Sequence, residues 1–122
     1  DKRSVWLSVH SNGHSNEKAH GMEVFTSLGE TRSDPMATLL FKEFAIMFPE
    51  LAGRKDTKDG DVDKEANFYI IKYTNCPAVL LESMFHTNEK ECKMLMDPEV
   101  RQKIAQVVIN TAIKLESEDW FT

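Results

Sequence analysis

Two ionisable residues close two apolar stretches of this chain. His10 follows Ser4-Val5-Trp6-Leu7-Ser8-Val9, and Glu82 follows Ala78-Val79-Leu80-Leu81. A neutral imidazole is a good metal ligand, and a carboxylate within reach of a metal-bound water is a good general base. A hydrolytic zinc centre uses both, generally with three protein ligands, a water acidified by the metal, and a neighbouring carboxylate that manages its protons. Each residue also has a structural reading. A histidine at a strand end is commonly a hydrogen-bonded structural group. A carboxylate after a buried strand implies either an ion pair or a functional site, because burying it without a partner is costly. Spacing alone leaves both alternatives open.

The elements that must position these residues follow from pattern. Ser4 to His10 is rich in β-branched and aromatic residues and is followed by the turn-forming Ser11-Asn12-Gly13, so a strand ending at His10 is expected. Gly21 to Ser27 holds a second strand, with Met22, Val24 and Thr26 on one face and Glu23 and Phe25 on the other. Asp34-Pro35 reads as an N-cap and first helical residue, with Met36, Leu39, Leu40, Glu43, Phe44 and Met47 at helical spacing and Pro49 as the stop. Gly53 to Glu65 is polar and without apolar period, the pattern of a surface loop; its Asp56, Asp59, Asp61 and Asp63 do not meet the spacing of a calcium-binding EF-hand loop. Asn67 to Tyr73 fits a short strand or a buried helical turn equally. Ala78 to Glu82 is the continuous apolar run of a central strand covered on both faces. Asn88 opens a short helix through Cys92 and Leu95. Asp97-Pro98-Glu99 opens a last one, whose inner stripe is Val100, Ile104, Val107, Val108, Thr111 and Leu115. Strands alternating with helices predict an α/β fold with a mostly parallel, twisted sheet flanked by helices.

Composition narrows the partners. The chain has 122 residues, room for one domain, and a net charge of -5 from 15 Lys plus Arg against 20 Asp plus Glu, which argues against a phosphate-tracking, nucleic-acid-binding surface. No apolar run reaches the ~20 residues needed to span a bilayer. Cys76 and Cys92 form no metal-binding or disulfide pattern and read as reduced, partly buried thiols. The first strand pattern begins so close to Asp1 that further sequence is expected upstream.

Ser8-Val9-His10-Ser11-Asn12 resembles the Ser-Ile-His-Ala-Asn segment of the zinc-dependent N-acetylmuramoyl-L-alanine amidases. His20-Gly21-Met22-Glu23-Val24-Phe25 resembles their following Gly-Phe-Glu strand, and Leu80-Leu81-Glu82-Ser83-Met84-Phe85-His86-Thr87-Asn88 is similar to their Leu-Val-Glu-Thr-Gly-Phe-Leu-Ser-Asn segment. The approach Asn67-Phe68-Tyr69-Ile70-Ile71, the Cys76-Pro77-Ala78-Val79 lead-in and the closing helix from Pro98 to Lys114 match as well, so the resemblance runs from about residue 4 to residue 115.

The resemblance implies a single, partial amidase-like catalytic domain over residues 1–122, lacking the family's N-terminal zinc-ligand segment. It implies a peptidoglycan hydrolase that cuts between N-acetylmuramic acid and the L-alanine of the stem peptide, with Glu82 as catalytic carboxylate and His10 as a zinc ligand. The other two ligands, a His in a Gly-His-Gly motif and a Glu, belong upstream, so the zinc site is incomplete here. Asn12, His20, Arg54 and His86 are the candidate substrate-binding residues; His14, set off from His10 by a turn, reads as a loop residue. Met84 stands where the family has glycine and is expected to narrow the groove or alter its loop. The competing reading is a non-catalytic, peptidoglycan-binding or regulatory domain that has lost its metal site. The implied setting is the cell envelope, the extracellular space, or release by a phage at lysis.

Overall fold

The computed structural model describes residues 4–28, 31–51, 64–65 and 68–118. Its elements run β1 (Trp6–Asn12), β2 (Met22–Thr26), α1 (Ser33–Met47), β3 (Lys64–Glu65), α2 (Tyr69–Tyr73), β4 (Ala78–Phe85), α3 (Glu89–Met96) and α4 (Pro98–Ser117). The strands form one sheet in the order β1-β4-β2-β3. β1 pairs with β4 and β2 with β3 in parallel, while β2 and β4 are antiparallel. The sheet is therefore mixed, with parallel pairings in the majority, and helices flank it as expected of the α/β class.

Alternation along the strands divides the core in two. Val79 and Leu81 of β4, with Met22 and Val24 of β2, pack against Met36, Leu40 and Phe44 of α1 and Ile104, Val107 and Leu115 of α4. Ala78 and Leu80 face the other way, into a smaller cluster with Ile71 of α2 and Phe25. β4 is thus apolar on both faces because both are covered. Glu43, an acidic residue in the apolar stripe of α1, is buried and ion-paired with Lys114 of α4, so its charge is answered by the helix it packs against.

Several boundaries differ from expectation. β1 does not end at His10: it runs on to Asn12, which pairs with Phe85 past a bulge between His10 and Asn12. β4 likewise continues three residues beyond Glu82, to Phe85. Both overrun because the two strands support each other through the bulge, which lets turn-forming residues stay in the ladder. α1 begins at Ser33, and Asp34 is not its N-cap. Asp34 instead accepts hydrogen bonds from Thr31 N at 3.0 Å and Thr31 Oγ1 at 3.2 Å, while Thr31 Oγ1 accepts one from Ser33 N at 3.1 Å. These bonds tie Thr31 to the first turn ahead of Arg32, the N-cap, whose own side chain makes no cap bond, and Pro35 sits inside that turn, where its missing N–H costs nothing. Residues 69–73 resolve the open reading in favour of a helical turn. Lys64–Glu65, expected in the loop, pair with Phe25 and Thr26 as a two-residue strand; residues 52–63 of that loop lie outside the described residues. The remaining caps are as expected: Asn88 accepts from Glu91 N at 3.1 Å and Asp97 from Glu99 N at 2.9 Å.

Candidate active site

The ladder registers bring three chemically active side chains level with one another. His10 of β1 is the partner of Glu82 in β4, and Glu82 is in turn the partner of Glu23 in β2. Residues directly opposite in a sheet share a face, so imidazole, carboxylate and carboxylate stand in a row across three strands. By alternation that face is the one carrying Ala78 and Leu80. His10 is exposed at the sheet edge, Glu82 is partly buried, and Glu23 is buried. The gradient from solvent to interior runs along the row.

Electrostatics follow from that gradient. Burial, and then the like charge of Glu23, push the Glu82 carboxyl up to about 7 from its ordinary 4.5. Glu82 Oε2 is buried and has no hydrogen-bond partner among the described residues. Such a carboxyl changes protonation state near neutral pH and has an oxygen available to a proton donor. His10 Nε2 lies 2.8 Å from Ser8 Oγ, a bond that orients the ring.

The secondary candidates gather around the ends of β1 and β4. Asn12 Oδ1 accepts a bond from Gly13 N at 2.8 Å, and its carbonyl accepts one from His86 N at 2.9 Å. His86 Nδ1 is 3.0 Å from Ser11 Oγ, and His14 N donates to Thr87 Oγ1 at 3.1 Å. Asn12, His14 and His86 therefore belong to one laced pair of loops. His20 is exposed, donates from Nδ1 to Lys18 O at 2.9 Å, and precedes the start of β2. Arg54 lies outside the described residues.

Met84 corrects an expectation. It is the one non-glycine among the described residues with positive φ, at 63°. Its even number would place it on the Glu82 face of a regular strand, but the left-handed twist turns it into the large core with Val79 and Leu81, where it is fully buried. It therefore does not narrow a groove at Glu82. A cavity of about 580 Å³ does adjoin β1, lined by Val9, Ser11, Ser83, Leu95, Ile104 and Val108 with His10 among its walls. Its lining is that of the face that carries Val79 and Leu81, and it omits Glu82.

Glu23 is the residue of this row that local pattern does not single out as a site residue. Alternation placed it away from Met22 and Val24, but only the antiparallel register reveals what it faces.

Residues 1–114 match the family model described as N-acetylmuramoyl-L-alanine amidase. The chain belongs to that amidase family. Among relatives, the N-acetylmuramoyl-L-alanine amidase LytC of Bacillus subtilis is 31% identical over 106 residues, covering 85% of this chain and 20% of LytC. The N-acetylmuramoyl-L-alanine amidase AmiA of Salmonella typhimurium is 27% identical over 148 residues, covering 89% of this chain and 50% of AmiA. The catalytic domain of CwlV, an N-acetylmuramoyl-L-alanine amidase from Bacillus (Paenibacillus) polymyxa, superposes with a TM-score of 0.75 at 29% identity, over 94% of this chain and 57% of that one. The CwlD amidase of Clostridioides difficile, solved in complex with the GerS lipoprotein, gives 0.78 at 27% identity, over 93% and 54%. This amidase-family chain thus spans from a fifth to rather more than half of the length of these four relatives. Among its described residues no three His, Cys, Asp or Glu side chains converge as a metal site. Among the described residues, His10 and Glu82 are of the types that a zinc ligand and its neighbouring carboxylate require, and they do not by themselves make up a complete centre.

Proposed function

We propose that this domain carries the proton-transfer half of a peptidoglycan amidase, which cleaves the amide between N-acetylmuramic acid and the L-alanine of the stem peptide. The register match of His10 with Glu82, inside a chain of this family, carries the reading. Glu82, ionised, accepts a proton from the water that attacks the amide carbonyl. It then returns that proton to the departing L-alanine amine, a cycle suited to a carboxyl poised at about 7. Glu23, on its far side, disfavours the ionised form and so keeps the proton returnable. Asn12, His20 and His86 are assigned to substrate binding, as is Arg54, a basic residue suited to a stem-peptide carboxylate that lies outside the described residues.

His10 is the ligand this chain offers to zinc, with Ser8 orienting its ring. Zinc, when bound, supplies Lewis acidity toward a carbonyl and lowers the pKa of water. Its other ligands lie outside the residues described. A cell-wall substrate supports a place of action at the cell envelope, outside the cell, or on release by a phage at lysis.

The test is zinc-dependent peptide release. The whole protein, given muropeptides, is expected to free the stem peptide, to lose that activity on chelation and to recover it with added zinc. Peptide release that persists unchanged through chelation contradicts the zinc assignment, and binding without release contradicts the enzymatic one.

A further inference from the structure

Glu91 of α3 is a carboxylate with 2% exposure, and its partners are main-chain amides at the ends of two strands. Gly21 N donates to both of its oxygens, at 2.9 Å to Oε1 and 3.0 Å to Oε2, and Phe85 N donates to Oε1 at 3.0 Å. Gly21 immediately precedes β2 and Phe85 ends β4.

These amides need an acceptor for an identifiable reason. The β2–β4 register pairs Glu23 with Glu82 and then Met22 with Ser83. The next opposed residues are Gly21 and Met84, and both have positive φ, 104° and 63°. Left-handed backbone on both strands ends the ladder there, and Gly21 N and Phe85 N turn to the Glu91 carboxylate. A buried amide without an acceptor is costly. A single carboxylate collects both, and its position in the first turn of α3 suits its negative charge. Asn88 caps the same turn through Glu91 N.

We propose that Glu91 is a positioning residue: by holding the ends of β2 and β4 together it fixes Glu82, three residues from Phe85, opposite Glu23, two residues from Gly21. The proposal rests on the reading of Glu82 as the proton acceptor. Misplacing a reacting group by ~1 Å costs up to ~100-fold in rate, and the clamp grips the same two strands a few residues from the opposed carboxyls.

The test compares Glu91→Gln and Glu91→Leu in the whole protein, beside Glu82→Gln. Glutamine retains one carbonyl oxygen, the counterpart of Oε1, which accepts from both strands; leucine fills the volume without an acceptor. Glu91→Leu is expected to lower kcat on a muramoyl-L-alanine amide by about 10–100-fold with KM within about two-fold, and Glu91→Gln to hold kcat within about three-fold of wild type. Both are read below each variant's thermal midpoint. Amide hydrogen exchange in the wild type gives a readout independent of turnover and of whether the leucine variant folds: Gly21 and Phe85 are expected to be protected like Leu81 in the sheet interior. A folded Glu91→Leu with near wild-type kcat, a Glu91→Gln as impaired as Glu91→Leu, or Gly21 and Phe85 exchanging as exposed loop amides overturns the proposal. If instead Glu82→Gln retains turnover while the two amides are protected, the clamp stands as a structural feature and the catalytic assignment of Glu82 is what fails.

Discussion

Glu23 and Glu82 stand opposite one another across the antiparallel β2–β4 ladder, two carboxyl groups on one face of one sheet. Like charges that close cannot both ionise cheaply. Glu82, already raised by burial, is raised further by Glu23, to about 7.

A pH dependence follows. A base must be ionised, so kcat/KM is expected to rise about ten-fold per pH unit on the acid side and to level off near pH 7. Glu23→Gln removes the like charge and lowers the Glu82 pKa, so the acid limb moves to lower pH. Rate profiles of wild type and variant between about pH 5 and 9 check this; a limb unmoved by the substitution contradicts the carboxylate pairing.

The same shift has a stability consequence of defined sign. The folded-state pKa of Glu82 lies above its unfolded value, so the folded state binds this proton more tightly. The resulting stabilisation is complete below about 4.5 and is lost as pH rises through about 7. Glutamine carries no charge at any pH. Glu82→Gln is therefore expected to raise the thermal midpoint relative to wild type at about pH 8, with the difference shrinking toward about pH 5. Solvent screening of the partly exposed carboxyl keeps the effect small. Calorimetry at the two pH values measures it, and a lowered midpoint at the higher pH contradicts the burial argument.

At Met84 two magnitudes compete. A left-handed non-glycine residue costs roughly 1–2 kcal/mol, whereas truncating a fully buried methionine costs roughly 2–5 kcal/mol. Burial wins, so Met84→Gly is expected to destabilise by roughly 1–3 kcal/mol despite relieving the backbone. Met84→Ala loses nearly the same burial without that relief. Glycine should then be the milder substitution, the reverse of the usual order within a strand. Urea unfolding of the two variants decides; alanine being the more stable contradicts the left-handed assignment at φ 63°.

Asn88 joins two tasks, accepting from Glu91 N at 3.1 Å and donating from Nδ2 to Glu17 O at 3.1 Å. Asn88→Ala should cost about 1 kcal/mol, the usual loss of an N-cap. Chemical denaturation measures it, and a change below about 0.3 kcal/mol would mean that water replaces the cap.

Much of this arrangement is written in local pattern. Ala78-Val79-Leu80-Leu81 announces a doubly covered strand, Asn88 and Asp97 announce the caps they make, and the alternation Met22-Glu23-Val24 turns Glu23 away from the large core. What pattern misses is pairing between segments distant along the chain. That β2 runs antiparallel to β4, so that Glu23 meets Glu82, has no local signature. Ser11-Asn12 are turn formers by type, yet they stay in β1 because the bulge beside Phe85 accommodates them. Glu91, in Glu89-Lys90-Glu91-Cys92-Lys93, looks like one more solvated helix charge; its amide partner Gly21 is 70 residues away. Lys64–Glu65 make a strand from main-chain pairing alone, which needs no apolar period.

The role of Glu82 as the proposed proton acceptor of an amidase site is checked by turnover of the whole protein carrying Glu82→Gln, with bound zinc measured on the same sample. Glu82→Gln is expected to lose at least about a hundred-fold in kcat on a muramoyl-L-alanine amide, with zinc content unchanged. Hydrolysis at the wild-type rate by the zinc-loaded Glu82→Gln protein would contradict it.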